Sequence, residues 1–463
     1  MERIVLAFFI AFSLAGSAFA AAPRPPASRD ELTFSYAPVV KKTAPAVVNI
    51  YATRKLRQAA SPYGDDPLYR RFFGPGPGAP RERVQNALGS GVIVRPEGIV
   101  VTNNHVIENA DAVKVALADR REFEADILLK DERSDLAVLR IRGSNESFPA
   151  VPIGDSDSLE VGDIVLALGN PFGIGQTVTS GIVSGLARTQ VGVTDYQFFI
   201  QTDAAINPGN SGGALVDMAG RLIGVNTAIY SRSGGSNGIG FAIPSNMVHL
   251  VVDSALSGGI KRPWLGARLQ DVTPEIADSL KLPRPSGTLI AELADSGTAK
   301  ESGLQTGDVI LAVDGQEVLD SNGFGYRFAT RKLGAMASLT VLRQGRQIIV
   351  PVAVRTPPET TPRDERTIAG RTPLTGATVV NLSPATAEEL GLEPHFKGVA
   401  VARLDNRSAA RNLGLRRGDI VLAVNDQKIS TTRDLERALN ARQRYWQLTI
   451  QRGEEVVNVM VGG

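Results

Sequence analysis

The chain has 463 residues, of which 43% are hydrophobic and 21% are charged. This composition is typical of a folded globular protein, and the length predicts about three domains because one hydrophobic core does not serve so long a chain. Fifty basic and 48 acidic residues leave a formal net charge of +2, and no dense Lys/Arg cluster with interleaved aromatic residues occurs. Charge therefore argues against nucleic acid as a partner.

Residue types that the chain lacks exclude further kinds of site. Cysteine is absent, so the sequence excludes disulfides, a cysteine nucleophile and any cysteine-ligated metal. His105, His249 and His395 lie far apart without HExxH-like spacing, and no GxxxxGK[ST] nucleotide-binding loop occurs. We therefore expect neither a metal nor another cofactor.

The first 20 residues predict an export signal. Glu2 and Arg3 precede an apolar run over residues 4–14, and residues 18–20 (AFA) fit the small-residue pattern of a cleavage site. The run is too short for a permanent membrane span, although an uncleaved N-terminal anchor is the alternative. No later segment is long and apolar enough, so we expect a mature chain without a transmembrane segment.

Residues 57–86 lack a regular pattern of apolar residues. Pro, Gly and Arg are mixed there with Tyr63, Tyr69, Phe72 and Phe73. We expect a long loop that is either disordered or docked on a partner through its aromatic side chains.

Residues 87–243 consist of short β-rich runs separated by Gly, Asn, Asp and Pro. Examples are residues 91–94, 98–102, 136–141, 164–168 and 222–226. This spacing predicts an all-β barrel or sandwich. Residues 96–98 (PEG) are expected to form a turn that joins the first two of these runs into a hairpin.

The sharpest chemical motif is NPGNSGG at residues 207–213. Glycines beside Ser211 permit a backbone that projects the hydroxyl while nearby amides face a developing oxyanion. A Gly/Asn/Ser run taken alone is more often a plain turn. If Ser211 is a nucleophile, we expect the amides of Gly209 and Ser211 to form the oxyanion hole.

Two other motifs supply the groups that such a serine needs. His105 follows one β-like run, and Asp135 begins another. The order His, Asp, Ser is one of the known chain orders of a catalytic triad. Imidazole can take the serine proton near neutral pH, and a carboxylate can fix its tautomer. Asp131 and Asp155 are rival carboxylates that spacing alone does not exclude.

The C-terminal part contains an internal duplication. Residues 302–318 (SGLQTGDVILAVDGQEV) and 413–429 (LGLRRGDIVLAVNDQKI) align without gaps. A repeat of this length indicates two copies of one domain rather than a solenoid. Residues 356–372, between the copies, are rich in Pro, Thr and charge, and we expect them to form a flexible linker.

The motifs TNNHVI (residues 102–107), SDLAVLRI (134–141) and NPGNSGGAL (207–215) resemble those of the HtrA/Deg family of periplasmic serine proteases. The resemblance extends over the whole mature chain. It implies a mainly β chain with a signal peptide over residues 1–20 and a chymotrypsin-like double β-barrel protease domain over 30–256. Residues 57–86 would be its regulatory loop, and PDZ domains would occupy residues 260–355 and 373–463.

The resemblance also implies roles for single residues. His105, Asp135 and Ser211 would be the catalytic triad, and Arg188 would belong to an activation-sensor loop. Ala205 stands where trypsin-like enzymes carry the acid at the base of the specificity pocket, which implies cleavage after small aliphatic residues. The substrate-binding residues that the family pattern implies are Ile206, Gly238, Ile239 and Gly240.

In the first PDZ domain, residues 261–267 resemble the loop that receives a peptide carboxylate, which implies binding by Arg262, Leu265, Gly266 and Ala267. Gly323 and Gly325 weaken the groove helix expected over residues 321–333, so we expect a late start or a mobile helix. In the second domain, Thr431 and Asp434 predict a capping box. The loop at residues 373–377 matches less well, so we expect this domain chiefly to mediate assembly.

The function that the resemblance implies is ATP-independent degradation of unfolded or misfolded envelope proteins, with PDZ domains that capture peptide C-termini. It also implies a periplasmic location, homotrimers and larger assemblies, and chaperone activity. One alternative is a peptide-binding chaperone or scaffold on a protease-like fold, against which the intact triad argues. Another is an extracellular digestive protease without regulation by PDZ peptides.

Overall fold

The structure is a computed structural model. It describes residues 35–57, 82–170, 175–189, 198–207, 209–229, 236–392, 396–440, 445–453 and 455–462. The predicted signal peptide, the four aromatic residues of the predicted loop and His395 lie outside these residues. Within the described ranges, no helix has the length and hydropathy that a bilayer span requires.

The first six strands close into a barrel. A helix α1 (Ala37–Thr43) and a 3₁₀ turn (Ala44–Ala46) lead into it, and the short helix α2 (Asn104–Ile107) follows its third strand. The turn predicted at residues 96–98 is confirmed, because the Gly98 amide donates to the Arg95 carbonyl at 3.1 Å. The strands, paired in the order β1-β2-β3-β6-β5-β4, are β1 (Val47–Arg57), β2 (Glu82–Arg95), β3 (Ile99–Asn103), β4 (Ala112–Ala116), β5 (Glu122–Asp131) and β6 (Leu136–Ile141).

The loop predicted over residues 57–86 is wrong at its C-terminal end. β2 begins at Glu82, which is paired with Arg57, so residues 82–86 are strand and continue the hairpin with β1. Backbone hydrogen bonds extend this ladder without the apolar alternation that the sequence prediction relied on.

The next six strands close into a second barrel, and the helix α3 (Ser245–Leu256) follows it. Met247, Val248, Val251 and Val252 of α3 are buried in a core cluster with residues of both barrels, so this helix helps to hold the barrels together. The strands, paired in the order β10-β11-β12-β9-β8-β7, are β7 (Ile164–Gly169), β8 (Thr177–Arg188), β9 (Phe199–Thr202), β10 (Ala214–Val216), β11 (Leu222–Ile229) and β12 (Gly240–Pro244).

The duplicated part forms two similar units, each a sheet with helices. The first contains β13 (Ala267–Asp271), β14 (Thr288–Leu293), β15 (Val309–Val313), β16 (Gln316–Glu317), β17 (Met336–Arg343) and β18 (Arg346–Ala353), with helices α4 (Pro274–Leu280), α5 (Thr298–Glu301) and α6 (Ser321–Ala329). The second contains β19 (Arg366–Thr367), β20 (Ala377–Asn381), β21 (Val399–Leu404), β22 (Ile420–Val424), β23 (Gln427–Lys428), β24 (Tyr445–Arg452) and β25 (Glu455–Gly462), with helices α7 (Pro384–Leu390), α8 (Ala409–Asn412) and α9 (Thr432–Leu439).

The sheet order β13-β14-β15-β17-β18 recurs as β20-β21-β22-β24-β25, as the internal repeat predicts. The flexible linker predicted over residues 356–372 is wrong for part of its length. β19 pairs with β20, the Pro362 carbonyl accepts from the Asn381 amide group at 2.8 Å, and Asp364 accepts from the Thr432 hydroxyl at 2.8 Å. These contacts attach residues 362–367 to the second unit.

The two predicted helix starts have different outcomes. Thr431 and Asp434 form the predicted capping box at the start of α9, with each side chain accepting from the other residue's amide. The late start expected for α6 is wrong, because the helix begins at Ser321. The Asp320 side chain accepts from the Gly323 amide at 2.8 Å, which satisfies one free donor of the first turn and offsets the cost of the glycines.

Candidate active site

The three predicted catalytic residues come from both barrels. His105 lies in α2, directly after β3, and Asp135 lies in the turn between β5 and β6 of the first barrel. Ser211 lies in the turn before β10 of the second barrel. The Ser211 carbonyl accepts from the amide of Ser90 in β2 at 2.8 Å, so the serine turn is tied to the first barrel.

Asp135 makes two hydrogen bonds to His105. The His105 Nδ1 and Asp135 Oδ2 atoms are 2.8 Å apart, and the His105 amide donates to Asp135 Oδ1 at 2.9 Å. The rival carboxylates lie elsewhere: Asp131 pairs with Arg262, and Asp155 caps the 3₁₀ turn Ser156–Ser158. Of the three carboxylates considered from the sequence, Asp135 is therefore the one that contacts the imidazole.

Thr227 of β11 connects Asp135 with Ser211. Its hydroxyl donates to Asp135 Oδ2 at 2.8 Å, and its carbonyl accepts from the Ser211 hydroxyl at 3.2 Å. No hydrogen bond joins His105 to Ser211 in the described parts of the chain. The serine proton is thus directed at a backbone carbonyl, and the hydroxyl must turn about χ1 to reach the imidazole.

The serine turn has a backbone that requires glycine. Gly209 has φ +96° and Gly212 has φ +84°. A Cβ atom on Gly212 would lie 2.1 Å from the Ser90 carbonyl oxygen, so only glycine fits there. Within the described residues, the amides of Gly209 and Ser211 have no hydrogen-bond acceptor. Two unengaged donors beside the hydroxyl are what an oxyanion hole needs.

The predicted specificity residues are only partly brought together. The Cβ position of Gly240 lies 2.8 Å from Cδ1 of Ile206, so these two residues are in direct contact. Gly238 is exposed with φ +78°. Ile239 packs against the cluster shared by both barrels, whereas Ile206 belongs to a separate cluster of the second barrel.

The sequence prediction missed several polar residues around the serine turn. Thr227 is one, and Ser90 is another: its hydroxyl donates to the Gly209 carbonyl at 2.6 Å and accepts from the Asn170 amide at 2.8 Å. Asn226, beside Thr227, is fully buried. The available signal is a polar residue inside a buried strand, which a structure tolerates only when hydrogen bonds compensate.

The family resemblance implies that Arg188 belongs to an activation-sensor loop. In the structure its Nε atom donates to Gln201 Oε1 at 2.9 Å on the adjacent strand of its own barrel. Residues near Arg188 contact the first PDZ unit. Phe198 stacks on Tyr326 of α6 with ring centroids 3.9 Å apart, and the Thr189 hydroxyl donates to Asp320.

The contact between α6 and the second barrel is closely packed. Tyr326 is fully buried, and this burial raises the pKa of its hydroxyl, with a smaller contribution from the Asp157 carboxylate. Asp157 also forms an ion pair with Arg331 at 3.0 Å. The first PDZ unit is thus held on the second barrel by a ring stack and by charge pairs.

The predicted peptide-carboxylate loop is divided by the structure. Leu265, Gly266 and Ala267 are consecutive at the start of β13, and Gly266 has φ +81°. The expectation that Arg262 belongs to the peptide-carboxylate site is wrong. Its Nη2 atom lies 2.7 and 2.6 Å from the two oxygens of Asp131 in the first barrel, and the residue is only 8% exposed. Its charge is therefore engaged between domains.

Known proteins share this architecture. A family model for the trypsin-like peptidase domain matches residues 89–225, and one for the PDZ domain matches residues 263–354 and 373–462. The periplasmic serine endoprotease DegP of Salmonella typhimurium is 37% identical over 406 residues, which cover 87% of this chain and 82% of that protein. A probable periplasmic serine endoprotease of Chlamydia pneumoniae, described as DegP-like, is 38% identical over 424 residues, with 88% and 85% covered.

Solved structures agree with these relatives. The structure of the HtrA-type protease AlgW with a decapeptide is 47% identical, covers 70% of this chain and 99% of that chain, and has a TM-score of 0.53. The match of catalytic-domain and PDZ families, together with identity above one third across most of the chain, shows the relationship. The chain therefore belongs to the HtrA/DegP family and is a serine endoprotease with a trypsin-like domain followed by two PDZ domains.

Proposed function

We propose that Ser211 is the nucleophile, His105 the general base and Asp135 the carboxylate that orients the base. The observation that carries this proposal is the 2.8 Å contact between His105 Nδ1 and Asp135 Oδ2. A carboxylate at Nδ1 holds the proton there and leaves Nε2 free to accept the serine proton.

In the first step of the proposed reaction, the Ser211 hydroxyl turns away from the Thr227 carbonyl and towards the imidazole. Ser211 Oγ attacks the substrate carbonyl carbon while His105 Nε2 takes its proton, and the amides of Gly209 and Ser211 donate to the oxygen that becomes negative. The imidazolium returns the proton to the leaving amine. Water, activated by the same imidazole, hydrolyses the acyl-enzyme.

We propose further that the enzyme cleaves after small aliphatic residues. Ile206 is buried and touches Gly240, and the position expected for a pocket-base acid is Ala205, whose carbonyl accepts from the Thr179 hydroxyl at 2.9 Å. An apolar pocket offers no partner to an ammonium group, and an unpaired buried charge costs several kcal/mol.

Matched tetrapeptide substrates that differ only in the residue before the scissile bond test this specificity. We expect kcat/KM for valine to exceed that for lysine by at least about 10²-fold, which corresponds to a few kcal/mol. Ile206→Ala should narrow the preference for valine over leucine. Ile223→Ala, which truncates an equally buried isoleucine of β11 outside the predicted pocket, serves as the control. Equal cleavage after lysine and valine in the native enzyme would contradict the assignment.

The substrates that we propose are unfolded or misfolded envelope proteins, degraded without ATP. The support is the family relationship and the two PDZ domains, a fold that binds peptides by adding a strand to a sheet edge. We also propose that the first 20 residues export the chain to the periplasm, that it forms homotrimers and larger assemblies, and that it has chaperone activity. The relatives named periplasmic support the location.

A further inference from the structure

The turn that carries Asp135 is held in a conformation that needs support. Asp135 ends the turn with φ +54°, a left-handed value that is unfavourable for a residue with a Cβ atom. Its amide donates to the Glu132 carbonyl at 3.3 Å, and its own carbonyl accepts from the Asn104 amide at 3.0 Å. Such conformations persist where neighbouring contacts enforce them. Residues 131–135 are therefore a place where outside contacts can affect the active site.

The first outside contact comes from the start of the first PDZ domain. Asp131 begins the turn, is 4% exposed, and accepts two hydrogen bonds from Arg262 Nη2, at 2.7 and 2.6 Å. Ser134, which directly precedes Asp135 in the chain, also donates its hydroxyl to Asp131. Charge-assisted hydrogen bonds are short and strong, so Arg262 holds the Asp131 carboxylate close to the start of the first PDZ domain.

The second outside contact comes from the second PDZ domain. Glu388, in the middle of α7, forms an ion pair with Arg133 of the same turn at 2.7 Å. The same Glu388 oxygen lies 3.9 Å from Arg262 Nη1. The Glu388 carboxylate therefore lies close to both arginines. Side-chain exposures of 23% for Glu388 and 33% for Arg133 place this pair partly out of solvent, where screening is weaker.

These contacts join three domains around one turn. Asp131 and Arg133 belong to the first barrel, Arg262 to the entry of the first PDZ domain and Glu388 to the second. We propose that the second PDZ domain is a positioning element for the catalytic aspartate, acting through Glu388 on Arg133 and Arg262. When Glu388 is docked, the turn holds Asp135 against His105, and when it is withdrawn, Asp135 is less well held.

This inference rests on the proposed role of Asp135. Glu388 touches neither substrate nor the reacting atoms, so its removal affects the rate of the chemical step and not the binding of a short substrate. A second PDZ domain that moves to bind another subunit or a peptide would release Glu388. Binding of the second PDZ domain to another subunit or peptide would therefore change the position of Asp135.

Charge reversal in the full-length chain tests the proposal with a short chromogenic peptide that has no need of PDZ capture. We expect Glu388→Arg and Arg133→Glu each to lower kcat at least about fivefold, with KM within about twofold of the native value. The double variant restores the pair between positions 133 and 388 with the charges exchanged but does not restore the contact with Arg262, so it should recover part of the lost kcat. Glu389→Arg is the matched control, because the neighbouring Glu389 bonds Arg363 within the second PDZ unit.

The outcomes separate this proposal from the proposed function. If Glu388→Arg has native kcat, or if the double variant recovers nothing, the positioning role is wrong while the protease assignment stands. A fall in kcat of the same size in Glu389→Arg would likewise overturn it, since any damage to the second PDZ domain would then suffice. If turnover of the peptide is unchanged when Ser211 is replaced, the proposed triad is wrong instead.

Discussion

Ser211→Ala is expected to lower kcat for β-casein digestion by a factor on the order of 10⁶. Alanine removes the atom that we propose forms the acyl-enzyme, and the Thr227 hydroxyl does not take its place, because it is already bonded to Asp135. The fold should be unaffected, since among the described residues the Ser211 hydroxyl hydrogen-bonds only the Thr227 carbonyl, at 3.2 Å. Initial rates of casein digestion, with thermal unfolding of the same sample, provide the measurement.

A serine of the same domain outside the site gives the control. Ser257, at the end of α3, is exposed, and its hydroxyl donates to the Asp253 carbonyl at 2.7 Å. Ser257→Ala should digest casein at the native rate. A Ser211→Ala variant that keeps native activity would show that another group is the nucleophile.

Asp135→Asn is expected to lower kcat by about 10⁴-fold. The asparagine has the same size, but its amide group can donate towards His105 Nδ1, which favours the tautomer with the proton on Nε2. That tautomer cannot accept the serine proton. KM should change little, because neither Asp135 oxygen faces the substrate: one bonds the His105 amide and the other bonds Nδ1 and Thr227.

Steady-state kinetics with a peptide substrate separate kcat from KM for this variant. Asp155→Asn is the comparison, because Asp155 was a rival carboxylate in the sequence and caps a 3₁₀ turn in the structure. We expect it to keep kcat within about twofold of the native value. Equal losses in the two variants would mean that the 2.8 Å contact of Asp135 with His105 has no special catalytic importance.

Local patterns explain what the sequence could predict. Ser211 is recognisable because glycines surround it, His105 because it follows an apolar β-run, and Asp135 because it begins another. A β-barrel or sandwich and a duplicated domain follow from strand spacing and from the repeat, since both depend on short segments of chain, whereas the double barrel was implied only by the family resemblance. The choice of Asp135 over Asp131 and Asp155 needed the structure, because spacing does not determine which carboxylate reaches the imidazole.

Contacts between distant segments explain what the sequence could not predict. Arg262 resembles a residue of the peptide loop locally, but its guanidinium is bound by Asp131, far away in the chain. Thr227 lies within a mostly apolar strand, and the sequence pattern does not indicate that its hydroxyl bonds Asp135 and its carbonyl bonds Ser211. Residues 82–86 and 366–367 join sheets through backbone pairing, which leaves little trace in side-chain pattern.

Covalent labelling tests most directly whether His105, Asp135 and Ser211 act as one unit. During β-casein turnover, a fluorophosphonate reagent should modify the native enzyme at Ser211 alone, as mass spectrometry of the digested protein can locate. The His105→Ala and Asp135→Asn variants should be labelled far more slowly. Modification of a different residue, or labelling of Ser211 at an unchanged rate without His105, would contradict the assignment.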